Sequence, residues 1–320
     1  MADAQTWIGR GDANDKFDLQ TIEAAVAPDA SDLHAILRSA KISGLFRMRS
    51  EATQAAVRAQ RSFKRLSAIA VFATAIATLT SGLLLYGAGA ETGAAVAGLV
   101  RWVKDNHTAI AGIQVLALFL SAFVASMLAS QNYIERWQGQ RGRAELLRRQ
   151  IFTEILTMAE TKVPRLLPEP DPGNPIAQAF EFFRRYQHEM QITFYGEGSF
   201  RHTRIAVRLA WLTAILAGLA AITGVLGNFG GPALVASAFL GIAVPILLSA
   251  AQSWGAWSRG ADKAAAYQKT KEALDTDFLN IDAVRTRAAI GDAAAVGAYV
   301  NKIHLIMATE NEAWKPAARP

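Results

Sequence analysis

The sequence predicts an all-α integral membrane protein with four transmembrane helices, arranged as two tandem helical hairpins with long cytoplasmic helical extensions. Three observations predict this fold. Hydrophobic residues make up 52% of the 320 residues, whereas charged residues make up 19%. The apolar residues are clustered into long runs, and no segment alternates like a half-buried strand. Clustering of this kind indicates a chain that lies partly in a lipid bilayer.

Four segments are long enough to cross a hydrocarbon core, which takes about 20 helical residues. They are residues 66–88, 108–130, 205–227 and 232–254. Arg208 is the one charged residue within them, and it lies near the start of the third span, where a long side chain can reach the head groups. We predict that Pro245 kinks the fourth span, because proline removes a helical hydrogen bond.

Positive charges concentrate on one side of the predicted membrane. Arginines and lysines precede the first and third spans and follow the second and fourth, whereas the connection 228–231 carries none. Tyr133 and Trp137, directly after the second span, are the aromatic residues expected at a membrane interface. The positive-inside rule therefore places both termini in the cytoplasm, and we see no cleaved signal peptide.

The two halves of the chain resemble each other and indicate a tandem duplication in one orientation. A shift of 121 residues lays Gln131, Tyr133, Gly139 and Ala144 over Gln252, Trp254, Gly260 and Ala265. The predicted segments are an N-terminal cytoplasmic helical segment (1–43), a first two-transmembrane repeat (44–162), a proline-rich linker (163–175), a second repeat (176–283) and a C-terminal cytoplasmic helix (284–320).

Helical periodicity marks three further elements outside the spans. Ser31 has the residue type of an N-cap for a short helix. Apolar residues of that helix share a face, as do those of the helix after the second span and those of the C-terminal helix. These sets are Leu33, Ile36, Leu37 and Ala40; Ala144, Leu147, Ile151, Ile155 and Met158; and Val296, Tyr299, Val300, Ile303 and Met307.

Signatures of catalysis are missing from the sequence. It has no phosphate-binding GxxxxGK[ST] loop, no HExxH and no cysteine. His188 and Glu189 lie near His202 and could be imagined as metal ligands, but the alternative is that they are solvated residues of a connecting helix. We therefore expect no enzyme, no cofactor and no metal site, and the location of the basic residues favours lipid over nucleic acid as a partner.

Polar side chains recur on one face of the first hairpin. Thr74, Thr78 and Ser81 fall at helical spacing in the first span, and Gln114 and Ser121 keep a similar face in the second. They are candidates to line a water-filled pore. The alternative is that the hydroxyls bond their own helix and let the helices pack closely, as the repeats of small residues also favour.

Five arginines follow the second span and are candidates for lipid contact or for a trigger site. Two alternatives stay open for them: the positive flank of the membrane with lipid contact, or a cradle for an anionic ligand. They are Arg136, Arg141, Arg143, Arg148 and Arg149.

The pattern W-x(3)-R-x(2)-AE-x-LR after the second span resembles the SLATT superfamily of bacterial two-transmembrane domains. The residues that carry it are Trp137, Arg141, Ala144, Glu145, Leu147 and Arg148. The resemblance covers about residues 50–160, and the second half lacks AE-x-LR. It implies a pore-forming membrane effector of a prokaryotic defence system in the bacterial inner membrane, often with nucleotide-generating or nucleotide-sensing partners.

Two functions are consistent with these features. The first is an oligomeric inner-membrane pore gated by its cytoplasmic helices, in which a rigid connection through residues 131–150 carries a signal from a protein or nucleotide into the second span. The second is a non-conducting scaffold that recruits partners through its cytoplasmic helices. Both predict a homo-oligomer in the bilayer.

Overall fold

A computed structural model describes residues 17–26, 28, 30–89, 97–163, 165–226, 240–241, 243–252, 255 and 259–313. Within them the regular secondary structure is helical and no strand occurs, which confirms the all-α prediction. The helices are α1 (Leu19–Ala25), α2 (Ser31–Leu37), α3 (Ala40–Gly89), α4 (Ala97–Asp105), α5 (His107–Ser130), α6 (Tyr133–Lys162), α7 (Pro175–Phe183), a π-helical segment (Arg184–Glu189), α8 (Met190–Leu226), α9 (Ala243–Gln252), α10 (Gly260–Phe278), α11 (Ile281–Ala289) and α12 (Ala293–Ala313).

Three helices are long and apolar enough to cross a membrane, and they overlap most of the first three predicted spans. The helical stretches concerned are Ala40–Leu84, His107–Leu128 and Pro175–Thr223. The fourth predicted span lies partly outside the described residues. Within it α9 is a shorter apolar helix that contains Pro245. The predicted kink at Pro245 depends on the preceding residues, several of which lie outside the described ones.

The chain divides into two compact units, each built from segments of both halves. The first, here called the helix body, comprises Met1–Arg58, Glu135–Arg201 and Asp262–Pro320. The second, the apolar unit, comprises Ala59–Ile134 and His202–Ala261. The sequence predicts consecutive repeats. In the structure, each compact unit combines segments that are far apart in the sequence.

The helix body has a large core that the three predicted apolar faces build together. The face of α2 is buried at Leu33, Ile36 and Leu37, and its outer member Ala40 is exposed. The face of α6 and the face of α12 are buried, apart from the partly buried Met158. Aromatic rings from α7 complete the core, because Phe152 lies 5.6 Å from Phe182 and 5.3 Å from Phe183, measured between ring centroids.

The prediction that Ser31 caps α2 is wrong. Ala30 is the N-cap residue, and no side-chain cap hydrogen bond forms there. The backbone N–H of Leu33 instead donates to Oε1 of Gln178 at 3.0 Å. A side chain distant in sequence therefore satisfies a first-turn donor, which local sequence cannot reveal.

The proline-rich linker is folded onto the end of α11. Its backbone N–H groups at Leu167 and Asp171 donate to the carbonyls of Ile290 and Ala289, at 2.9 and 2.7 Å. Asn174 then caps α7, since its Oδ1 accepts from the N–H groups of the next turn and Pro175 occupies the start of the helix. Residues 165–174 of the linker form no helix, in agreement with the proline content. The linker is an integral part of the helix body.

Candidate functional site

The five pore candidates of the first hairpin form a hydrogen-bonded seam between α3 and α5, here called the hydroxyl seam. Thr74 Oγ1 and Ser121 Oγ are 2.8 Å apart, and Gln114 Nε2 donates to Ser81 Oγ at 2.7 Å. Thr78 Oγ1 donates to the carbonyl of Thr74 at 2.8 Å. All five side chains thus have a partner within the two helices. Thr74 and Thr78 remain exposed at the edge of the seam.

Beside the hydroxyl seam, both helices bury small or branched residues. Ala73 and Ala77 of α3 are buried, in agreement with the small-residue pattern. The buried residues of α5 recur every seven positions at Ile110, Ala117 and Val124. A seven-residue spacing is that of helices that wind gently around each other and interlock their side chains.

The outer surface of the apolar unit is rich in exposed apolar side chains. Phe72, Val115, Leu116, Phe119 and Trp211 are each at least two-thirds exposed. Large apolar side chains are rarely exposed in this density on a protein in water. Such a surface is suited to contact with lipid. The polar side chains of α3 and α5 lie instead against each other in the hydroxyl seam.

The five arginines on α6 fall into surroundings that differ sharply. Arg136 and Arg143 are exposed, Arg141 and Arg149 are partly buried, and Arg148 is buried in the helix body. In the sequence they form one basic group. In a helix, however, residues three or four positions apart share a face, and residues adjacent in sequence lie on different faces. Arg136 and Arg143 are therefore the members of the group that a partner or lipid can reach directly.

Arg148 belongs to a small buried cluster that the sequence did not predict. Its Nη2 donates to the carbonyl of Tyr186 at 2.5 Å, within the π-helical segment. Its guanidinium carbon lies 4.7 Å from the ring centroid of Phe17, and that of Arg49 lies 4.6 Å from the same centroid. Two cations thus contact one aromatic ring, an arrangement stabilised by the negative electrostatic face of the ring.

The electrostatics of this cluster are unfavourable for its cations. Burial lowers the pKa of Arg148 to about 10; Glu145 opposes this shift and the charge of Arg49 adds to it. Burial also lowers the pKa of Arg49. At Arg141 burial acts in the same direction, but nearby Tyr267, Glu310 and Glu145 outweigh it and raise the pKa.

A second buried polar cluster lies at the π-helical segment and was not predicted either. His188 is fully buried: its Nε2 lies 2.9 Å from the carbonyl of Leu274, and its Nδ1 lies 2.6 Å from the hydroxyl of Tyr299. The solvated position expected for His188 is therefore wrong. Since Leu274 offers an acceptor, Nε2 carries the proton, and the Tyr299 hydroxyl donates to Nδ1. Both ring nitrogens are occupied, which leaves neither for a metal.

Ion pairs surround the start of the π-helical segment. Arg184 pairs with Glu181, with 2.5 Å between its Nε and Oε2, and it also pairs with Glu189. Arg285 pairs with the other carboxylate oxygen of Glu181, with 2.6 Å between its Nε and Oε1. Burial lowers the pKa of Arg184, but Glu181 and Glu189 outweigh burial and raise it. The buried charges at this segment are therefore paired with one another. Among the described residues no group of three or more acidic or histidine side chains has metal-site geometry.

The described residues indicate a class: a helical protein of the membrane type, with three helices long and apolar enough to cross a membrane and a helix body that buries arginines, histidines and ion pairs. No protein-family model, no curated protein and no solved structure matches the chain.

Proposed function

We propose that this protein is a membrane scaffold, in which the apolar unit anchors and self-associates and the helix body recruits a partner. The observation that carries the proposal is the hydroxyl seam. Its five polar side chains bond to each other or to their own helix, so the seam needs no water to satisfy them. The helix body, by contrast, combines a large folded core with exposed arginines.

The proposal includes four spans, with the fourth formed by residues 232–254, and both termini in the cytoplasm of a bacterium. Charge distribution supports this topology, because basic residues flank the cytoplasmic ends of the spans. Arg136 and Arg143 are exposed and would then lie near anionic lipid or an acidic protein surface. We propose these two arginines, rather than Arg148, as the contact with the partner.

Ion flux through liposomes tests the scaffold against a pore. The purified chain should give no flux above empty liposomes, and Thr78→Leu should leave this baseline and the oligomer mass unchanged. Phe72→Leu, at an exposed apolar position of the same helix, is the matched control. Flux that Thr78→Leu reduces and Phe72→Leu does not would overturn the scaffold.

Capture of a partner protein by the helix body would support the scaffold directly. A photo-crosslinker at Leu146, which is 64% exposed on α6, should link one defined partner in cells. Arg136→Glu with Arg143→Glu should abolish this link, because reversal replaces attraction by repulsion. Arg58→Glu, exposed on α3, should not. A link that survives the double reversal contradicts the assignment.

A pore remains the second candidate, on one observation. Thr74 and Thr78 are exposed at the edge of the seam, so an oligomer could bring copies of this edge around a common axis. The resemblance to SLATT domains implies the same function. In that case a signal would have to separate copies of the seam or rotate them, so the flux measurement is repeated with the partner captured at Leu146 present.

A further inference from the structure

We propose that the cleft between α1 and the N-terminal part of α3, here called the α1–α3 cleft, binds a small organic phosphate. The cleft has a volume of about 390 Å³ and lies within the helix body. Its lining combines apolar side chains with basic and hydroxyl side chains. Those used below are Phe17, Leu19, Phe46, Arg47, Arg49 and Ser50.

The charge behind the cleft is unbalanced. Arg49 lines the cleft, and Arg148 approaches the same Phe17 ring from α6. Glu145 is the acidic group that acts on both guanidiniums. Neither Nε atom finds a hydrogen-bond acceptor among the described residues. With Arg47, three guanidiniums lie at or behind the cleft against the carboxylates of Glu145 and Asp18, and an anion in the cleft would offset the remaining positive charge.

The acid that lines the cleft forms its hydrogen bonds with α1. Both carboxylate oxygens of Asp18 accept hydrogen bonds from Thr21, at 2.9 Å from its backbone N–H and 2.8 Å from its hydroxyl. Asp18 is thereby committed to capping α1. The basic residue at the mouth, Arg47, is exposed and has its guanidinium available to approach a ligand.

The number and type of the donors that line the cleft favour a phosphate group over a carboxylate. Arg49 is held in orientation because its Nη1 donates to the carbonyl of Phe17 at 2.8 Å. Arg47 and the hydroxyl of Ser50 lie on the same helix at positions that line the cleft with it. A phosphate accepts hydrogen bonds on three oxygens, and planar guanidinium groups match it well.

The size of the cleft indicates that the ligand carries an apolar part. A bare phosphate would leave much of the volume next to Leu19 and Phe46 unfilled. Removing apolar surface of the ligand and of these side chains from water would add to the affinity. The inference stands apart from the scaffold function, since it concerns a ligand of the helix body and requires neither a protein partner nor ion flux.

Calorimetry on the full chain in detergent tests the inference with phenyl phosphate as the probe. We expect saturable binding with a dissociation constant below about 1 mM. Arg49→Gln should weaken it about tenfold or more, as expected for loss of a charge-assisted hydrogen bond or a compensating charge. Arg58→Gln, an exposed arginine on α3 outside the cleft, should leave binding unchanged.

Arg47→Gln keeps the test decisive if Arg49→Gln unfolds the helix body, because Arg47 is exposed and its replacement removes no core contact. It should weaken binding severalfold. No saturation up to about 10 mM probe, which corresponds to a negligible affinity, overturns the proposal. So does equal weakening by Arg47→Gln and Arg58→Gln, or inorganic phosphate binding as tightly as phenyl phosphate.

Two sources could supply such a phosphate, a soluble phosphoester or a lipid head group. Adding phosphatidic acid to the micelles separates them. Displacement of phenyl phosphate by phosphatidic acid, but not by phosphatidylcholine, supports the proposal with a lipid as the source. Absence of displacement together with saturable probe binding supports it with a soluble ester.

Discussion

At the scale of single residues, two histidines of the helix body are held neutral by their surroundings. Burial lowers the pKa of His188 to about 4, partly opposed by the Leu274 carbonyl and by Asp277. Burial lowers the pKa of His304 to about 4 as well, and Arg149 and Arg148 add to that shift. The ring of His304 lies beside those of Phe152 and Phe183, at centroid distances of 6.4 and 5.6 Å.

These histidines predict a loss of stability in mild acid. An unfolded histidine protonates near pH 6.5, whereas the folded ones resist protonation until about pH 4. Between these values the unfolded state binds more protons, so the free energy of unfolding falls as the pH falls from 6.5 to 4. Each histidine contributes on the order of 3 kcal/mol to this loss. Denaturant unfolding at several pH values between 7 and 4 measures the slope.

His304→Phe is the variant that isolates one histidine. Phenylalanine suits the aromatic surroundings and cannot protonate, so the variant should lose less stability across this pH range than the wild type. Leu305→Phe, at an exposed and non-titrating position of the same helix, serves as a control and should keep the wild-type slope. An unchanged slope in His304→Phe would falsify the assignment.

The same residues show what sequence can and cannot predict about a site. Periodicity predicted that Ile151, Ile155 and Ile303 are buried, because an apolar side chain reveals its preference by its chemistry. Arg148 and His188 carry no such signal, since arginine is mostly exposed in proteins and histidine is intermediate between exposed and buried. Their burial depends on partners distant in sequence, the Tyr186 carbonyl and the Tyr299 hydroxyl.

At the scale of elements, the rigid connection predicted through residues 131–150 is interrupted. Helix α5 ends at Ser130 and α6 begins at Tyr133. Between them Asn132 has a φ of 46°, in the left-handed region. Asparagine adopts this region more readily than most residues, and a helix commonly ends there. The break was visible in the residue type, but the basic and aromatic run that follows suggested continuity.

Substitution of Asn132 tests the importance of this break. Asn132→Val should destabilise the protein by about 1–2 kcal/mol, because a β-branched residue is strained at positive φ. Asn132→Gly should be neutral or slightly stabilising, since glycine adopts this region without strain. The exposed position of Asn132 means that neither change removes a core contact. Apparent thermal midpoints in one detergent compare the variants, and equal midpoints for Val and Gly would contradict the argument.

At the scale of the whole molecule, the helix body is assembled from both halves of the chain. The sequence correctly predicted helices, the first three apolar segments and the apolar faces of α2, α6 and α12. It could not predict that these faces meet in one core, because periodicity identifies a buried face without identifying its partner. Phe152 from the first half contacts Phe182 and Phe183 from the second, so the core of the helix body contains residues of both halves.

A split chain tests this shared core. Residues 1–163 and 164–320, expressed together with an affinity tag on the first fragment, should co-purify, whereas either fragment alone should be degraded because it exposes half of a core. Phe152→Asp should abolish co-purification, since truncating a buried phenylalanine alone costs about 3–5 kcal/mol and a buried carboxylate costs more. Leu146→Asp, exposed on the same helix, is the matched control and should have no effect. If Phe152→Asp co-purifies as well as Leu146→Asp, the two halves associate through surfaces other than the aromatic core, and the helix body is not the element that joins them.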